Sequence, residues 1–209
     1  MMEKPEGKMI VVAAPVFGGR IPSVVREKIE KLSGTGKKAV TIAVYGNRAY
    51  EDALLEMNDI LMKCGFTVIA SGAFVAQHSM APEVGAGRPD GEDEKEIHKF
   101  AESVKNSTAT ENVHVPGNRP YKPEMNMPVT PISIPSCTMC GKCVTVCPTN
   151  AISVSDGAVI TDAEKCILCM ACTHVCTEKA RIRPLPLQQE TEQMLGVLKS
   201  VRNKNEVFL

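Results

Sequence analysis

The feature that most constrains this chain is a run of cysteines that occurs twice. Eight of its nine cysteines follow the spacing Cys-x2-Cys-x2-Cys-x3-Cys in two copies, and each cysteine of the first copy recurs 29 residues later. Three cysteines at steps of three residues can place their sulfurs on one concave side of a loop. A metal group held there would need its fourth ligand from elsewhere in the chain. The eight positions are Cys137, Cys140, Cys143, Cys147, Cys166, Cys169, Cys172 and Cys176.

This duplicated run resembles that of bacterial two-cluster ferredoxins, in which the fourth cysteine of each copy serves the other cluster. The resemblance implies an α+β domain with two [4Fe–4S] clusters that carry single electrons. Thr177 stands where the first copy has Pro148, a departure that removes no ligand. The ligand sets implied are Cys137, Cys140, Cys143 and Cys176 for one cluster, and Cys166, Cys169, Cys172 and Cys147 for the other.

Zinc sites and disulfides are the alternative uses of these cysteines. Structural zinc sites pair two CxxC units, and they do not require a third cysteine and a further CxxxC step in duplicate. A disulfide framework suits a small secreted chain, whereas no apolar signal segment opens this sequence. Iron–sulfur clusters are therefore the preferred interpretation, and we expect a protein of a reducing cytoplasm, typical of an anaerobe.

Charge and composition argue against two classes of partner. The chain has 24 basic and 24 acidic side chains, so it offers no net positive charge to nucleic acid or to an anionic membrane. Trp is absent and aromatic residues make up 4% of the chain, too few for base-stacking platforms. The longest apolar stretch, residues 9–16, is far shorter than a membrane-spanning helix. We expect neither nucleic-acid binding nor a membrane span.

Upstream of the cysteines, strand and helix patterns alternate. The apolar run at residues 9–14 indicates a strand buried on both faces of a parallel sheet. Asp90 is a predicted N-cap with acidic residues after it, which favour the positive end of a helix. Together the patterns predict a βαβαβα arrangement, an α/β parallel sheet with helices. The predicted strands are 9–14, 38–44 and 67–75, and the predicted helices are 23–32, 51–64 and the segment after residue 90.

The composition divides the chain into four parts. Residues 105–135 contain six prolines without sustained periodicity, which indicates an extended connector that could also lie along the first domain. Between the cysteine copies, residues 152–160 alternate around Asp156-Gly157 and predict a β-hairpin. The expected parts are an α/β domain at 1–104, a Pro-rich linker at 105–135, a ferredoxin-like domain at 136–182 and a C-terminal helix within 183–209.

A second resemblance covers the α/β domain. The stretches at residues 14–22, 44–47, 77–79 and 87–90 look like the later part of a flavodoxin-like domain. Residues 9–182 as a whole resemble flavodoxin–ferredoxin fusion proteins of anaerobes, in which such loops flank the flavin of FMN. The candidate FMN contacts that this resemblance implies are Pro15, Phe17, Gly18, Tyr45, Gly46 and Asn47.

The departure from that family is large. A flavodoxin sheet has the order 2-1-3-4-5 and binds FMN at the switch between strands 1 and 3. This chain opens at the equivalent of strand 3, without strands 1 and 2 and without the phosphate-binding turn. FMN binding is therefore an open question. The strand at 9–14 would form an exposed sheet edge that another chain or the linker could cover.

Three functions follow from these patterns. The leading hypothesis is an electron carrier, or a subunit of an oxidoreductase, that exchanges single electrons with donor and acceptor proteins. The second is an oxidoreductase with FMN and clusters, if the phosphate turn is supplied elsewhere. The third is a non-catalytic assembly module with structural clusters. The sequence contains no Ser–His–Asp or paired-carboxylate pattern that would favour hydrolysis.

Overall fold

A computed structural model describes residue 5, residues 7–125 and residues 129–209. The chain forms two compact units: the first consists of Met1–His78, Pro82–Met125 and Leu198–Leu209, and the second of Ser79–Ala81 and Asn126–Val197. Pro128 of the predicted linker and the first residues of the predicted 1–104 domain lie outside the described residues. The first unit therefore includes residues that precede most of the second unit in the sequence and residues that follow it.

Eight strands and six α-helices are found in the described residues. The strands are β1 (Met9–Pro15), β2 (Lys38–Tyr45), β3 (Thr67–Val75), β4 (Ile132–Ser133), β5 (Ile152–Ser155), β6 (Ala158–Thr161), β7 (Arg181–Ile182) and β8 (Glu206–Phe208). The helices are α1 (Ser23–Ile29), α2 (Ala53–Lys63), α3 (Gly91–Lys105), α4 (Lys142–Thr145), α5 (Ala171–His174) and α6 (Leu185–Leu195). Among these described helices, none has the length and apolar character needed to cross a bilayer.

The first unit is a four-stranded sheet in the order β1-β2-β3-β8. The first three strands are parallel, as the alternation of strand and helix signals predicts. Leu54, Met57 and Leu61 recur at helical spacing along α2 and are fully buried in the core. Asp90 caps α3 and accepts bonds from the backbone N–H groups of Glu92 and Asp93, so the predicted N-cap is confirmed.

The prediction that residues 9–14 are buried on both faces is wrong. β1 is the edge strand, and its side chains alternate between partly covered and exposed, with Val11 58% exposed. Ile10 and Val12 pack against the core. A continuous apolar run therefore marks an edge strand here, because only one face of the strand packs against the core.

The C-terminal part also differs from its prediction. The sequence predicts a helix within 183–209, and α6 ends at Leu195, whereas β8 pairs antiparallel with β3. The Asn205 side chain accepts a bond of 2.8 Å from the Val75 backbone N–H. The strand forms because the free edge of β3 needs hydrogen-bond partners. Local periodicity cannot reveal a pairing between such distant segments.

The first part of the predicted linker lies along the first unit. The Val113 backbone N–H donates to the Val68 carbonyl at 2.8 Å. Asp52 accepts from the backbone N–H groups of Asn118 and Lys122 at 2.8 and 2.7 Å. The α/β unit thus provides hydrogen-bond acceptors for these three backbone N–H groups of the linker, in agreement with the expectation that the segment could lie along the first domain.

The second unit has little apolar core. Its hairpin of β5 and β6 turns at Asp156 and Gly157, both with positive φ, as predicted. β4 pairs with β7, which brings Ser133 opposite Arg181. A small cluster of Leu168, Met170 and Leu187 is the buried apolar centre around α6.

We predict that acid destabilises the first unit through Asp93. This carboxylate is buried and paired with Arg88, whose hydrogen bond holds the pKa of Asp93 well below its usual range against the cost of burial. A lowered folded-state pKa contributes stability above the unfolded value of about 3.9, and that stability is lost as the pH falls towards the folded value. Asp93→Asn should lower the free energy of unfolding of the first unit by about 3–5 kcal/mol at pH 7. It should also make that free energy depend less on pH in the acid range.

Urea unfolding followed by tyrosine fluorescence measures this effect, since all three tyrosines lie in the first unit. Glu102→Gln, at an exposed position of the same helix, is the matched control and should behave as wild type. An Asp93→Asn protein with wild-type stability at pH 7 would contradict the prediction.

Candidate metal centre

The cysteines of the second unit line two separate cavities. One, of about 360 Å³ out to its open mouth, is lined by Cys137, Cys140 and Cys143 of the first copy together with Cys176 of the second. The other, of about 310 Å³, is lined by three cysteines of the second copy together with the fourth cysteine of the first. Its cysteines are Cys166, Cys169, Cys172 and Cys147. We call these the first and second cysteine sites. The fold therefore brings the fourth cysteine of each copy to the three-cysteine loop of the other.

The backbone repeats along with the cysteines. Three positions in each copy have positive φ, and the members of each pair are 29 residues apart, the spacing of the cysteines. The pairs are Met139 and Leu168 (both 54°), Gly141 and Met170 (77° and 62°), and Asn150 and Lys179 (both 52°). Alternation of right- and left-handed residues turns successive N–H groups towards one concave side, the backbone form that binds anions and iron–sulfur groups.

Short helices follow both loops. α4 begins after Gly141 and α5 begins after Met170, and both preceding residues are left-handed. Glycine adopts this conformation without cost, whereas a residue with a side chain is strained by about 1–2 kcal/mol. Met170 is 3% exposed and packs with Leu168 and Leu187, so burial of its side chain offsets the strain.

Cys147 is held by backbone donors. The Ala151 N–H donates to its Sγ at 3.2 Å. Burial opposes ionisation of this thiol, but hydrogen bonds from the backbone of Thr149, Ala151 and Ile152 outweigh it and lower the pKa of Cys147. Donors aimed at a sulfur favour the thiolate form, which is the form that ligates metal.

Burial is the largest influence on the thiol pKa at three other cysteines. It raises the pKa of the Cys143, Cys166 and Cys172 thiols. The charge of Arg181 opposes this rise at Cys143 and Cys172. Thiols of this kind ionise when a cation binds, so metal loading would release protons.

The two cysteine sites differ in exposure. Cys140 is exposed and its neighbour Met139 is 45% exposed, whereas Cys172 is buried. All nine cysteines are free thiols, and the ninth, Cys64, is half-buried with its Sγ 3.6 Å from the Ile29 carbonyl oxygen. Throughout the part of the chain that the structure describes, no three His, Cys, Asp or Glu side chains converge as a single-ion site would require.

The candidate FMN contacts lie in the first unit, where two of them bind the chain's own C-terminal segment. Tyr45 and Asn47 are buried beneath the C-terminal segment: the Tyr45 hydroxyl donates to the Lys204 carbonyl at 2.9 Å, and the Asn47 amide to the Val201 carbonyl at 2.6 Å. The Asn203 backbone N–H donates back to Asn47. These side chains serve the chain's own C-terminus. Of the remaining candidates, Pro15 is exposed, and Phe17, Gly18 and Gly46 are of intermediate exposure.

Comparison with known proteins agrees with this geometry. Residues 136–180 match the 4Fe–4S dicluster domain family. An uncharacterised ferredoxin-like protein of Haemophilus influenzae is 37% identical over 65 residues, which cover 28% of this chain and 76% of that protein. This chain belongs to the ferredoxin family. Ferredoxin-1 of Rhodobacter capsulatus is 37% identical over 54 residues, 23% of this chain and 83% of that protein.

A larger relative is the polyferredoxin-like subunit of an aliphatic sulfonate oxidoreductase from Pyrococcus furiosus. It is 44% identical over 59 residues, 27% of this chain, and this chain spans about a third of its length (32%). The second unit therefore contains a ferredoxin-like, iron–sulfur electron-carrier domain at residues 136–180.

Removal of Cys147 should affect the second cysteine site and not the first. Cys147→Ala is expected to retain about half of the wild-type iron, because only one of two four-thiolate sets is broken. Adding Cys166→Ala should change little, whereas adding Cys137→Ala should remove most of the remaining iron. Iron and sulfide assays after anaerobic reconstitution measure this.

Cys64→Ala is the matched control, since Cys64 lies in the first unit and should leave the iron content unchanged. The reverse ranking of the two double variants would show that each copy binds its own metal.

Proposed function

We propose that this ferredoxin binds two [4Fe–4S] clusters in a crosswise arrangement and carries single electrons between redox proteins. The observation that carries the proposal is the lining of each cavity by three cysteines of one copy and the fourth of the other. The proposed ligands are those that the resemblance implies: Cys137, Cys140, Cys143 and Cys176 for the first cluster, and Cys166, Cys169, Cys172 and Cys147 for the second.

The donor chemistry fits such clusters. Four thiols surround each cavity, and a cubane requires one thiolate for each iron. Positive-φ residues and backbone N–H groups near the sulfurs suit an anionic cluster. A bound cluster supplies a centre that accepts and returns one electron. The chain's own part is to ligate the cluster, to donate hydrogen bonds to its sulfurs and to limit its contact with water.

The exposure of residues beside the first cysteine site favours that site for electron exchange with partner proteins. Met139 and Cys140 are exposed beside it, whereas Cys172 of the second site is buried. The Pyrococcus furiosus relative is named as an oxidoreductase subunit, which supports a subunit role for this chain as well. We expect a carrier or subunit rather than an enzyme that acts alone, in a reducing compartment such as the cytoplasm.

We also propose that the first unit is related to flavodoxins. Its parallel order β1-β2-β3 corresponds to flavodoxin strands 3-4-5 and supports this relation. FMN binding by this chain is not part of the proposal. Tyr45 and Asn47 are already engaged by the C-terminal segment, so no observation favours a flavin there.

The protein reconstituted anaerobically should contain about eight iron ions and about eight sulfides per chain. Dithionite should reduce it reversibly, and electron paramagnetic resonance should show the signals of reduced [4Fe–4S] centres. Loaded clusters that dithionite and stronger reductants leave unchanged would favour the assembly-module hypothesis instead. A chain that binds zinc in place of iron and sulfide would refute both.

Loss of the clusters should unfold the second unit and spare the first. The second unit's apolar centre is small, and a domain of this size needs additional stabilisation from bound metal. Far-UV circular dichroism of chelator-treated protein should lose signal, while the tyrosine fluorescence of the first unit keeps its urea midpoint. Unchanged circular dichroism after complete iron removal would contradict this prediction.

A further inference from the structure

One buried cation of the second unit has no carboxylate partner. Arg181 lies in β7 and is 4% exposed. Its Nη1 donates to Ser133 Oγ at 3.2 Å, and its Nη2 donates to Thr161 Oγ1. Its Nε has no hydrogen-bond partner, and among the described residues no Asp or Glu forms an ion pair with it. Two neutral hydroxyls do not balance a buried charge, which costs several kcal/mol without a counter-charge.

Four cysteines are among the groups around Arg181, and the exposed residues Lys142 and Glu178 lie at the rim of the same cavity. Arg181 lines the first cysteine site together with Cys137, Cys140, Cys143 and Cys176. One buried cation thus faces the four cysteines of this site. The counter-charge that it lacks matches the net negative charge of thiolate-bound clusters.

Internal symmetry indicates that this cation is not required by the fold. The position 29 residues before Arg181 is Ile152, which is 6% exposed and lines the second cysteine site. The same backbone position is therefore apolar in one copy and cationic in the other. An aliphatic side chain is compatible with the local structure, so the charge of Arg181 calls for a different explanation than packing.

We propose that Arg181 is a positioning residue that stabilises the reduced form of the cluster in the first cysteine site and so raises its reduction potential. This inference rests on the proposed function. On reduction, the cluster gains one electron from an external one-electron donor, and no bond forms or breaks. Because the reduced cluster is more negative, its attraction to the buried guanidinium is stronger than that of the oxidised cluster.

The test compares midpoint potentials of the full chain reconstituted with clusters. Arg181→Ile introduces the residue that the first copy has at this position, and Arg181→Lys keeps the charge. Lys95→Gln, at an exposed position of α3 in the first unit, removes the same charge away from the cysteine loops. Iron and sulfide content is measured first, and each cluster is then titrated with dithionite and followed by electron paramagnetic resonance.

Arg181→Ile should load its clusters and lower the equilibrium constant for one-electron reduction at least tenfold at the first cluster, a fall of 59 mV. Arg181→Lys should shift the potential less, and Lys95→Gln should match wild type. A loaded Arg181→Ile protein with wild-type potentials would overturn the proposal. So would loss of the clusters in Arg181→Ile but not in Arg181→Lys, because the charge would then serve assembly. A wild-type chain that binds no clusters would instead refute the proposed function.

Discussion

The structure of the second unit depends on the convergence of cysteines from both copies of the repeat. Each loop of three cysteines receives its fourth from the other copy, so neither copy can complete a site alone. The main buried apolar cluster of the described residues in this unit is small and consists of Leu168, Met170 and Leu187 with their partly buried neighbours. Burial of this extent cannot offset the entropy of ordering so many loop residues. In the proposed arrangement, metal ligation across the two copies supplies the difference and makes the duplicated unit fold as one.

The cysteine loops adopt a backbone conformation suited to metal ligation, at a local cost in backbone strain. Left-handed residues recur at equivalent positions of the two copies, although one copy uses Gly141 and the other Met170. The strain at Met170 is offset because its side chain is buried in the small apolar centre. Packing and site geometry are therefore linked at this residue. The same side chain that stabilises the unit holds the backbone in the conformation that turns N–H groups towards the sulfurs.

Local patterns were sufficient for much of this architecture. The three parallel strands, the Asp90 cap and the hairpin at Asp156 were all predictable because each depends on neighbouring residues. The crosswise cysteine arrangement was predictable only through resemblance, since spacing alone leaves the partner of each fourth cysteine open. The exposed edge at β1 was expected only from the comparison with flavodoxin topology, and the pairing of β8 depends on which segments become neighbours in space. Arg181 was missed for the same reason: its significance lies in having no counter-charge, which appears only when its surroundings are known.

The chain order of the two units adds a constraint on folding. β8 joins β3 through residues 71–73 and 206–208, and the whole ferredoxin-like domain lies between them in the sequence. The C-terminal segment also supplies the partners of Tyr45 and Asn47. The α/β unit therefore cannot complete its sheet until the iron–sulfur segment has been synthesised. Such long-range pairing carries a loop-entropy cost that grows with the length of the intervening segment.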